Sequence, residues 1–149
     1  MDKLKVYLDN CCYNRPFDDL TVGKNALEAM AKMFIQALIK YNSVSLCYSF
    51  MTLYEINDSP LEENKRHIQN FIVTNVAVYI SKARYDEIEK LTNGIMLTGI
   101  KQKDDTHLAC SIFAGCDYFI TVDKGVLKYK SDKIETVNLI EFVGIWRSL

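Results

Sequence analysis

Two aspartates stand where the sequence predicts that strands of a parallel sheet end. Asp9 follows the apolar run at residues 4–8, and Asp123 lies two residues past a second run at residues 117–121. The carboxyl ends of parallel strands face one edge of a sheet, and ligands bind to such folds at that edge. Both side chains are therefore predicted to point into one crevice.

Two further acids are predicted to reach the same crevice. Asp104 lies in the first turn of a predicted helix, and Glu55 lies on a short helix predicted after the second strand. Crowded carboxylates repel one another, so without a cation the pKa of at least one of them would rise. A site made of carboxylate oxygens suits Mg²⁺ or Mn²⁺ rather than zinc. Such ions lower the pKa of a bound water and shield phosphate oxygens, as phosphodiester hydrolysis requires.

The acids on the predicted helices could also have a purely structural role. Aspartates in a first helical turn, such as Asp104 and Asp105, are favoured by the helix dipole by roughly 0.3–1 kcal/mol. Asp105 could exchange roles with Asp104 or face solvent. A helix turns by about 100° per residue, so both cannot face one site well, and we assign Asp104 to it. Glu55 alone could be a solvated charge, and His107 is predicted to be a hydrogen-bonded structural histidine.

Strands and helices alternate along the chain. The predicted strands are residues 4–8, 44–48, 76–80, 117–121 and 134–137. Apolar spacing and capping residues predict helices at residues 23–41, 50–57, 60–74, 81–97 and 103–114, and a short turn or helix near 126–129. Residues 11–19 are predicted to form a loop, and the last residues a helix or extension. Parallel neighbours need crossover helices, so the pattern predicts an α/β fold with a parallel sheet.

Composition places limits on the class of protein. A chain of 149 residues that is 49% hydrophobic predicts one domain, spanning residues 1–149. With 18 basic and 19 acidic side chains, the net charge does not mark a nucleic-acid-binding protein, although a local basic patch could exist. No segment approaches the ~18 apolar residues of a membrane span, so we expect a cytoplasmic protein. The five cysteines lack paired spacing and do not predict a disulfide framework.

Three segments, taken in order, resemble the PIN domain, a family of metal-dependent ribonucleases that includes many toxins of bacterial and archaeal toxin–antitoxin pairs. They are VYLDNCCYNRPFDD, YEIN and KQKDDTHLACSIFAGCDYFITVD. The resemblance covers almost the whole chain and ends with ETVNLIEFV, which is similar to the family's closing strand and tail. It implies a three-layer α/β/α fold with a central five-stranded parallel sheet of order 3-2-1-4-5.

The resemblance also assigns residues. It implies that the four acids of the family's metal site fall on Asp9, Glu55, Asp104 and Asp123. Thr121 matches a hydroxyl residue that supports this site, and Asn10 matches a common polar position after the first acid. Asp105 departs from the pattern, because the family usually has a small residue there.

We therefore predict a Mg²⁺- or Mn²⁺-dependent endoribonuclease that hydrolyses RNA phosphodiester bonds. The resemblance implies the toxin of a toxin–antitoxin pair as its biological role. Four basic residues next to the acids could contact phosphates or could be solvated surface charges: Arg15, Lys101, Lys103 and Lys124.

Two other functions stay open. The chain could be an interaction module with weak or no nuclease activity. In that case, apolar residues of the helices at 23–41 and 61–74 would meet an antitoxin protein or a second copy of the chain, although such stripes are more often core. It could also be a phosphatase-like or receiver-like domain, since acids at strand ends serve phosphoryl transfer as well. Lys124 after Asp123 suits that chemistry, but no DxD pattern supports it.

Overall fold

The computed structural model describes residues 3–13, 21, 23–58, 62–75 and 78–149. Within these ranges, one parallel sheet has the strand order β3-β2-β1-β4-β5. Its strands are β1 (Leu4–Leu8), β2 (Val44–Ser49), β3 (Val78–Ile80), β4 (Tyr118–Ile120) and β5 (Glu135–Val137). The α/β class, the parallel pairing and the order of the strands confirm the prediction.

Helices connect the strands and cover the sheet. In the described ranges they are α1 (Asn10–Tyr13), α2 (Gly23–Lys40), α3 (Phe50–Asn57), α4 (Glu62–Asn75), α5 (Tyr85–Met96), α6 (Gln102–Phe113), α7 (Lys124–Leu127) and α8 (Leu139–Arg147). A 3₁₀ turn at Lys82–Arg84 precedes α5, with Ser81 as its cap. None of the helices in this part of the chain combines the length and the apolar character needed to cross a membrane.

Two core clusters show that helices lie on both faces of the sheet. Val6 and Leu8 pack in a cluster with buried residues of α2 and α8. Tyr7 and Phe119 pack in the other cluster with buried residues of α5 and α6. Successive residues of a strand point to opposite faces, which explains why Tyr7 is separated from its two neighbours. The result is the three-layer arrangement that was predicted.

The prediction of a loop directly after β1 is wrong in its first residues. Asn10–Tyr13 form one helical turn, α1, whose Cys12 and Tyr13 are buried. Lys32 of α2 donates a hydrogen bond from Nζ to the carbonyl oxygen of Tyr13 at 2.8 Å. A helix this short is not stable alone, so tertiary contacts that the local sequence does not reveal order the turn. Residues 14–20 of the predicted loop and residues 59–61, where a helix start was predicted, lie outside the described residues.

The starts of α3 and α6 determine where two of the acids lie. Ser49 ends β2 and caps α3, because its side chain accepts a hydrogen bond from the backbone N–H of Met51. Gly99, with φ 95°, lies in the left-handed conformation that favours glycine and ends the α5 segment shortly before α6 begins. The start of α3 therefore lies at the carboxyl end of β2, and α6 begins three residues after the turn at Gly99.

Candidate metal centre at the carboxyl edge of the sheet

Asp9 lies at the carboxyl end of the central strand, and hydrogen bonds fix its side chain. Its backbone N–H donates to the carbonyl oxygen of Ile120 at 2.9 Å, which extends the pairing of β1 with β4. Its Oδ2 accepts from the hydroxyl of Thr121 at 2.7 Å, and its Oδ1 accepts from the backbone N–H of Asn10 at 2.8 Å. Only 6% of the residue is exposed. Each carboxylate oxygen has a second lone pair that a ligand could use.

Thr121 links Asp9 to Asp123. The backbone N–H of Asp123 donates to Thr121 Oγ1 at 3.1 Å, while the same hydroxyl donates to Asp9. Asp123 Oδ1 accepts from the backbone N–H of Gly125 at 2.8 Å and so caps α7. A Cβ at Gly125 would stand 3.1 Å from that oxygen, so a larger residue would require the carboxylate of Asp123 to shift by a few tenths of an ångström. Asp123 Oδ2 has no hydrogen bond within the described ranges and remains available.

The neighbouring acids affect the pKa of Asp104, which lies in the first turn of α6. Burial, and then the charges of Asp9, Asp123 and Glu55, raise the pKa of Asp104 to about 6, while His107 acts in the opposite direction. This is the response expected of carboxylates that crowd together without a cation. Asp104 and Asp123 also line a cleft of about 240 Å³, which they share with Lys101.

Glu55 lies on α3 and is held by His107. Nε2 of His107 lies 2.6 Å from Glu55 Oε1, and Nδ1 lies 2.6 Å from the hydroxyl oxygen of Tyr7. His107 is fully buried, whereas 19% of the Glu55 side chain is exposed. Asp9, Glu55 and His107 each have one potential ligand atom within 4.8 Å of the others. Glu55 therefore approaches Asp9 across the crevice.

The structure groups Asp9 and Glu55 with His107, while Asp104 and Asp123 line one cleft. The charges of Asp9, Asp123 and Glu55 all act on Asp104. The contact of His107 with this set of acids is one that the sequence did not reveal. His107 was predicted to be a hydrogen-bonded structural histidine, and it does form such bonds, but one partner is an acid of the site. One signal could have indicated this. Residues three apart on a helix share a face, and His107 follows Asp104 by three.

The supporting residues differ in their positions. Asn10 contributes its backbone N–H to Asp9, and its side-chain Oδ1 is buried without a partner. Lys103 extends its ammonium over the ring of Tyr54, 5.3 Å from the ring centroid. Lys124 is exposed at the start of α7. Arg15 lies outside the described residues.

Asp105 does not face solvent, which corrects one of the two alternatives that the sequence left for it. Only 1% of the residue is exposed, because residues 105–111 of α6 are all buried against α5 and the sheet. Its Oδ1 accepts a hydrogen bond from the hydroxyl of Thr106 at 3.1 Å, while its buried Oδ2 has no partner. Burial raises the pKa of Asp105 above its usual range.

The residues present fit a hard divalent cation. The converging side chains offer carboxylate oxygens, which are the ligands that Mg²⁺ and Mn²⁺ prefer. The pKa of Asp104 is raised first by burial and then by the charges of Asp9 and Asp123, and a bound cation would offset the part that comes from those charges. Within the described residues, the group of potential ligand atoms around Asp9 and Glu55 contains one histidine, His107, and no cysteine, whereas zinc sites usually combine several such ligands.

Comparison with solved structures supports the fold. The chain resembles one in the crystal structure of VapBC2 from Rickettsia felis bound to a DNA fragment from their promoter, with a TM-score of 0.59. The match covers 91% of this chain and 98% of that chain, at 11% sequence identity. At so low an identity the likeness establishes the fold alone, and this fold is PIN-like. No protein-family profile and no curated protein matches the sequence.

Proposed function

We propose that the chain is a Mg²⁺- or Mn²⁺-dependent endoribonuclease. The observation that carries this proposal is the convergence of Asp9, Glu55, Asp104 and Asp123 at one edge of the sheet, with the pKa of Asp104 raised to about 6. Stability alone would not favour four crowded carboxylates, and perturbed acids in a cleft are typical of functional sites. The PIN-like fold agrees with this function.

The side chains would divide the work as follows. Asp9, Asp104 and Asp123 would hold the cation, with Glu55 as a fourth ligand either directly or through water. Mg²⁺ or Mn²⁺, when bound, would lower the pKa of a water and neutralise charge on phosphate oxygens. Thr121 would keep the carboxylates of Asp9 and Asp123 at a fixed spacing through its two hydrogen bonds.

Lys101 is the basic residue best placed for a substrate phosphate. It lines the same cleft as Asp104 and Asp123, and it is exposed. An ammonium group at this point would attract the RNA backbone to an otherwise acidic edge. Lys103 and Lys124 are proposed as weaker contacts, because one lies over Tyr54 and the other extends from α7.

An apolar surface supports a second role, the binding of a protein partner. We define the α2–α8 groove as the cleft of about 420 Å³ lined by Leu27, Met30, Ala31, Phe34, Ile140, Val143 and Arg147. Met30 is 67% exposed, Leu27 57% and Ile140 45%. Contiguous exposed apolar side chains mark interaction sites. VapBC2 is a toxin–antitoxin complex, so an antitoxin is the proposed occupant, and a second copy of the chain is the alternative.

The nuclease is tested with purified protein and single-stranded RNA. We expect cleavage with Mn²⁺ or Mg²⁺, none with a chelator, and none by Asp9→Asn. A direct ligand should cost more than the roughly 10–100-fold that is typical of residues supporting a metal ligand. The matched control is Asp86→Asn, which changes an exposed acid of α5. Cleavage that survives Asp9→Asn would refute the site, and turnover of a phosphomonoester with RNA left intact would favour the phosphatase-like alternative.

A further inference from the structure

A buried series of hydrogen bonds leads from the start of α3 to Glu55. The hydroxyl oxygen of Tyr7 lies 2.6 Å from Ser49 Oγ and 3.1 Å from Thr52 Oγ1. The same oxygen lies 2.6 Å from His107 Nδ1, and His107 Nε2 lies 2.6 Å from Glu55 Oε1. Tyr7, Ser49, Thr52 and His107 are all 0% exposed. Water therefore does not compete for the bonds among these four residues, and each bond constrains the next group.

The chemistry of Glu55 determines where one proton lies. In its ionised form the Glu55 carboxylate only accepts hydrogen bonds, and the hydrogen between Oε1 and His107 then lies on Nε2. This conclusion holds whether Nδ1 accepts from Tyr7 or carries a proton of its own. The Nε2 lone pair is consequently not available to a cation, although a ring nitrogen of His107 lies within 4.8 Å of ligand atoms of Asp9 and Glu55.

The other end of the series is also fully satisfied. Ser49 Oγ accepts from the backbone N–H of Met51 at 3.2 Å, and Thr52 Oγ1 accepts from the backbone N–H of Ser49 at 3.2 Å. Both hydroxyls can then donate to Tyr7, whose own hydroxyl can donate to His107. Burial raises the pKa of Tyr7 well above its usual value, so this hydroxyl keeps its proton. Stacking on Phe119, at 5.3 Å between ring centroids, holds the tyrosine ring in place.

The series joins the elements that carry three of the acids. Tyr7 precedes Asp9 by two residues on β1, and Thr52 precedes Glu55 by three on α3. His107 follows Asp104 by three on α6. A shift of either helix against the sheet would therefore break a buried hydrogen bond and leave its donor or acceptor without a partner.

We propose that His107 is a positioning residue that fixes Glu55 through Nε2–H, leaves Oε2 of Glu55 available to the cation, and is not itself a metal ligand. This role presupposes the metal site proposed above. Such outer partners of a ligand typically change metal affinity by about 10–100-fold when they are removed. Tyr7 orients the imidazole ring in turn.

The first test observes the proton itself. Nitrogen-15 NMR of the two histidines, with His67→Gln used for assignment, should show His107 Nε2 protonated in the metal-free protein. We expect the same proton to remain after saturation with Mg²⁺. An unprotonated Nε2 in either state would overturn the proposal. The metal-free measurement does not depend on nuclease activity, so its result is separate from the fate of the proposed function.

The second test separates positioning from a structural role. Binding of Mn²⁺, measured by electron paramagnetic resonance, should weaken by about 10–100-fold in His107→Leu. His107→Gln keeps an amide N–H near the place of Nε2 and should recover most of the affinity. Unfolding curves of each variant show which fraction is folded. A folded His107→Leu with unchanged affinity, or a His107→Gln as weak as His107→Leu, would overturn the proposal.

Tyr7→Phe provides the test if His107→Leu does not fold. It removes the hydroxyl next to Nδ1 and keeps the ring that stacks on Phe119. We expect a smaller loss of Mn²⁺ affinity than the loss in a variant of Glu55 itself, such as Glu55→Gln. If Tyr7→Phe binds Mn²⁺ as tightly as the parent protein, the hydrogen-bonded series does not position Glu55. If the parent protein binds no Mn²⁺, the proposed function fails, and the NMR result still decides the position of the proton.

Discussion

The acidic edge of the sheet and the α2–α8 groove each contain an arrangement of side chains that lowers the stability of the isolated chain. At the edge the cause is crowded charge, and in the groove it is exposed apolar surface. At the edge, carboxylates crowd together, and hydrogen bonds from Thr121 and His107 hold two of them in place. In the groove, large apolar side chains such as Met30 and Leu27 remain exposed. Both arrangements cost stability in the isolated chain, and such costs are typical of functional sites. This difference is the basis of our proposals that the edge binds a cation and that the groove binds a protein.

Metal affinity should separate the two regions most strongly. Asp104→Asn should weaken binding of Mn²⁺ by more than about 100-fold, because it removes the charge of a proposed direct ligand, whereas roughly 10–100-fold is typical of residues that only support a ligand. Asp105→Ala is the matched control on the neighbouring residue, and Met30→Lys is the control in the groove. We expect both controls to bind Mn²⁺ like the parent protein in a calorimetric titration. Weak Mn²⁺ binding by Asp105→Ala together with normal binding by Asp104→Asn would show that Asp105, and not Asp104, is the metal ligand.

The same substitutions should stabilise the metal-free protein. Asp104→Asn relieves repulsion at the edge and should raise the free energy of unfolding on the order of 1 kcal/mol, since solvent screens part of the effect. Asp105→Ala removes a buried oxygen that has no partner and should raise it by about 1 kcal/mol as well. Each gain corresponds to about 2–4 °C in Tm. Chemical denaturation in the presence of a chelator measures the free energy of unfolding of both variants. A lower free energy of unfolding in Asp104→Asn than in the parent protein would contradict the proposed repulsion between Asp104 and the other carboxylates.

The difference in free energy of unfolding between Asp104→Asn and the parent protein should depend on pH. This effect is smaller and is specific to Asp104. The pKa of Asp104 is about 6 in the folded chain and near 3.9 in an unfolded one. The folded state therefore binds this proton more tightly, and the resulting stability is present at low pH and is lost as pH rises through about 6. The advantage of Asp104→Asn over the parent protein should grow between about pH 4 and 6 and stay constant above that range. An advantage that does not change with pH would exclude Asp104 as its source.

Substitutions in the groove should change the chain itself least. Met30→Lys places a charge on an exposed side chain and should alter the free energy of unfolding by less than about 0.5 kcal/mol. RNA cleavage should be unchanged. Light scattering will show whether the parent protein forms a dimer. Binding to a candidate antitoxin is measured separately, with both proteins purified. Equal binding by Met30→Lys and the parent protein would show that the groove is not the contact surface.

The sequence predicts the acidic edge better than the groove for a physical reason. Strand ends and a helix start define where Asp9, Asp104 and Asp123 must lie once the sheet is parallel. The strand order depended on the resemblance, because alternation of elements does not specify which strands are neighbours. Apolar residues of α2 have helical spacing both where they are buried, as at Ile35, and where they are exposed, as at Met30.

Contacts between distant elements account for most of what sequence could not predict. Tyr7 and His107 are 100 residues apart, and nothing local indicates that they share a hydrogen bond. The α1 turn depends on Lys32 of another helix. The burial of Asp105 depends on how α6 packs against α5, which the two adjacent aspartates do not reveal. Type and spacing thus identify candidate ligands, while packing determines how they are held.

The position of a bound ion tests the central claim most directly. Crystals soaked in Mn²⁺ should show an anomalous difference peak contacted by the carboxylates of Asp9, Asp104 and Asp123, with Glu55 close by directly or through water. His107 Nε2 should remain on Glu55 and away from the peak. A peak centred on His107, or no peak at the edge at a concentration that saturates the protein in solution, would contradict the proposed metal centre.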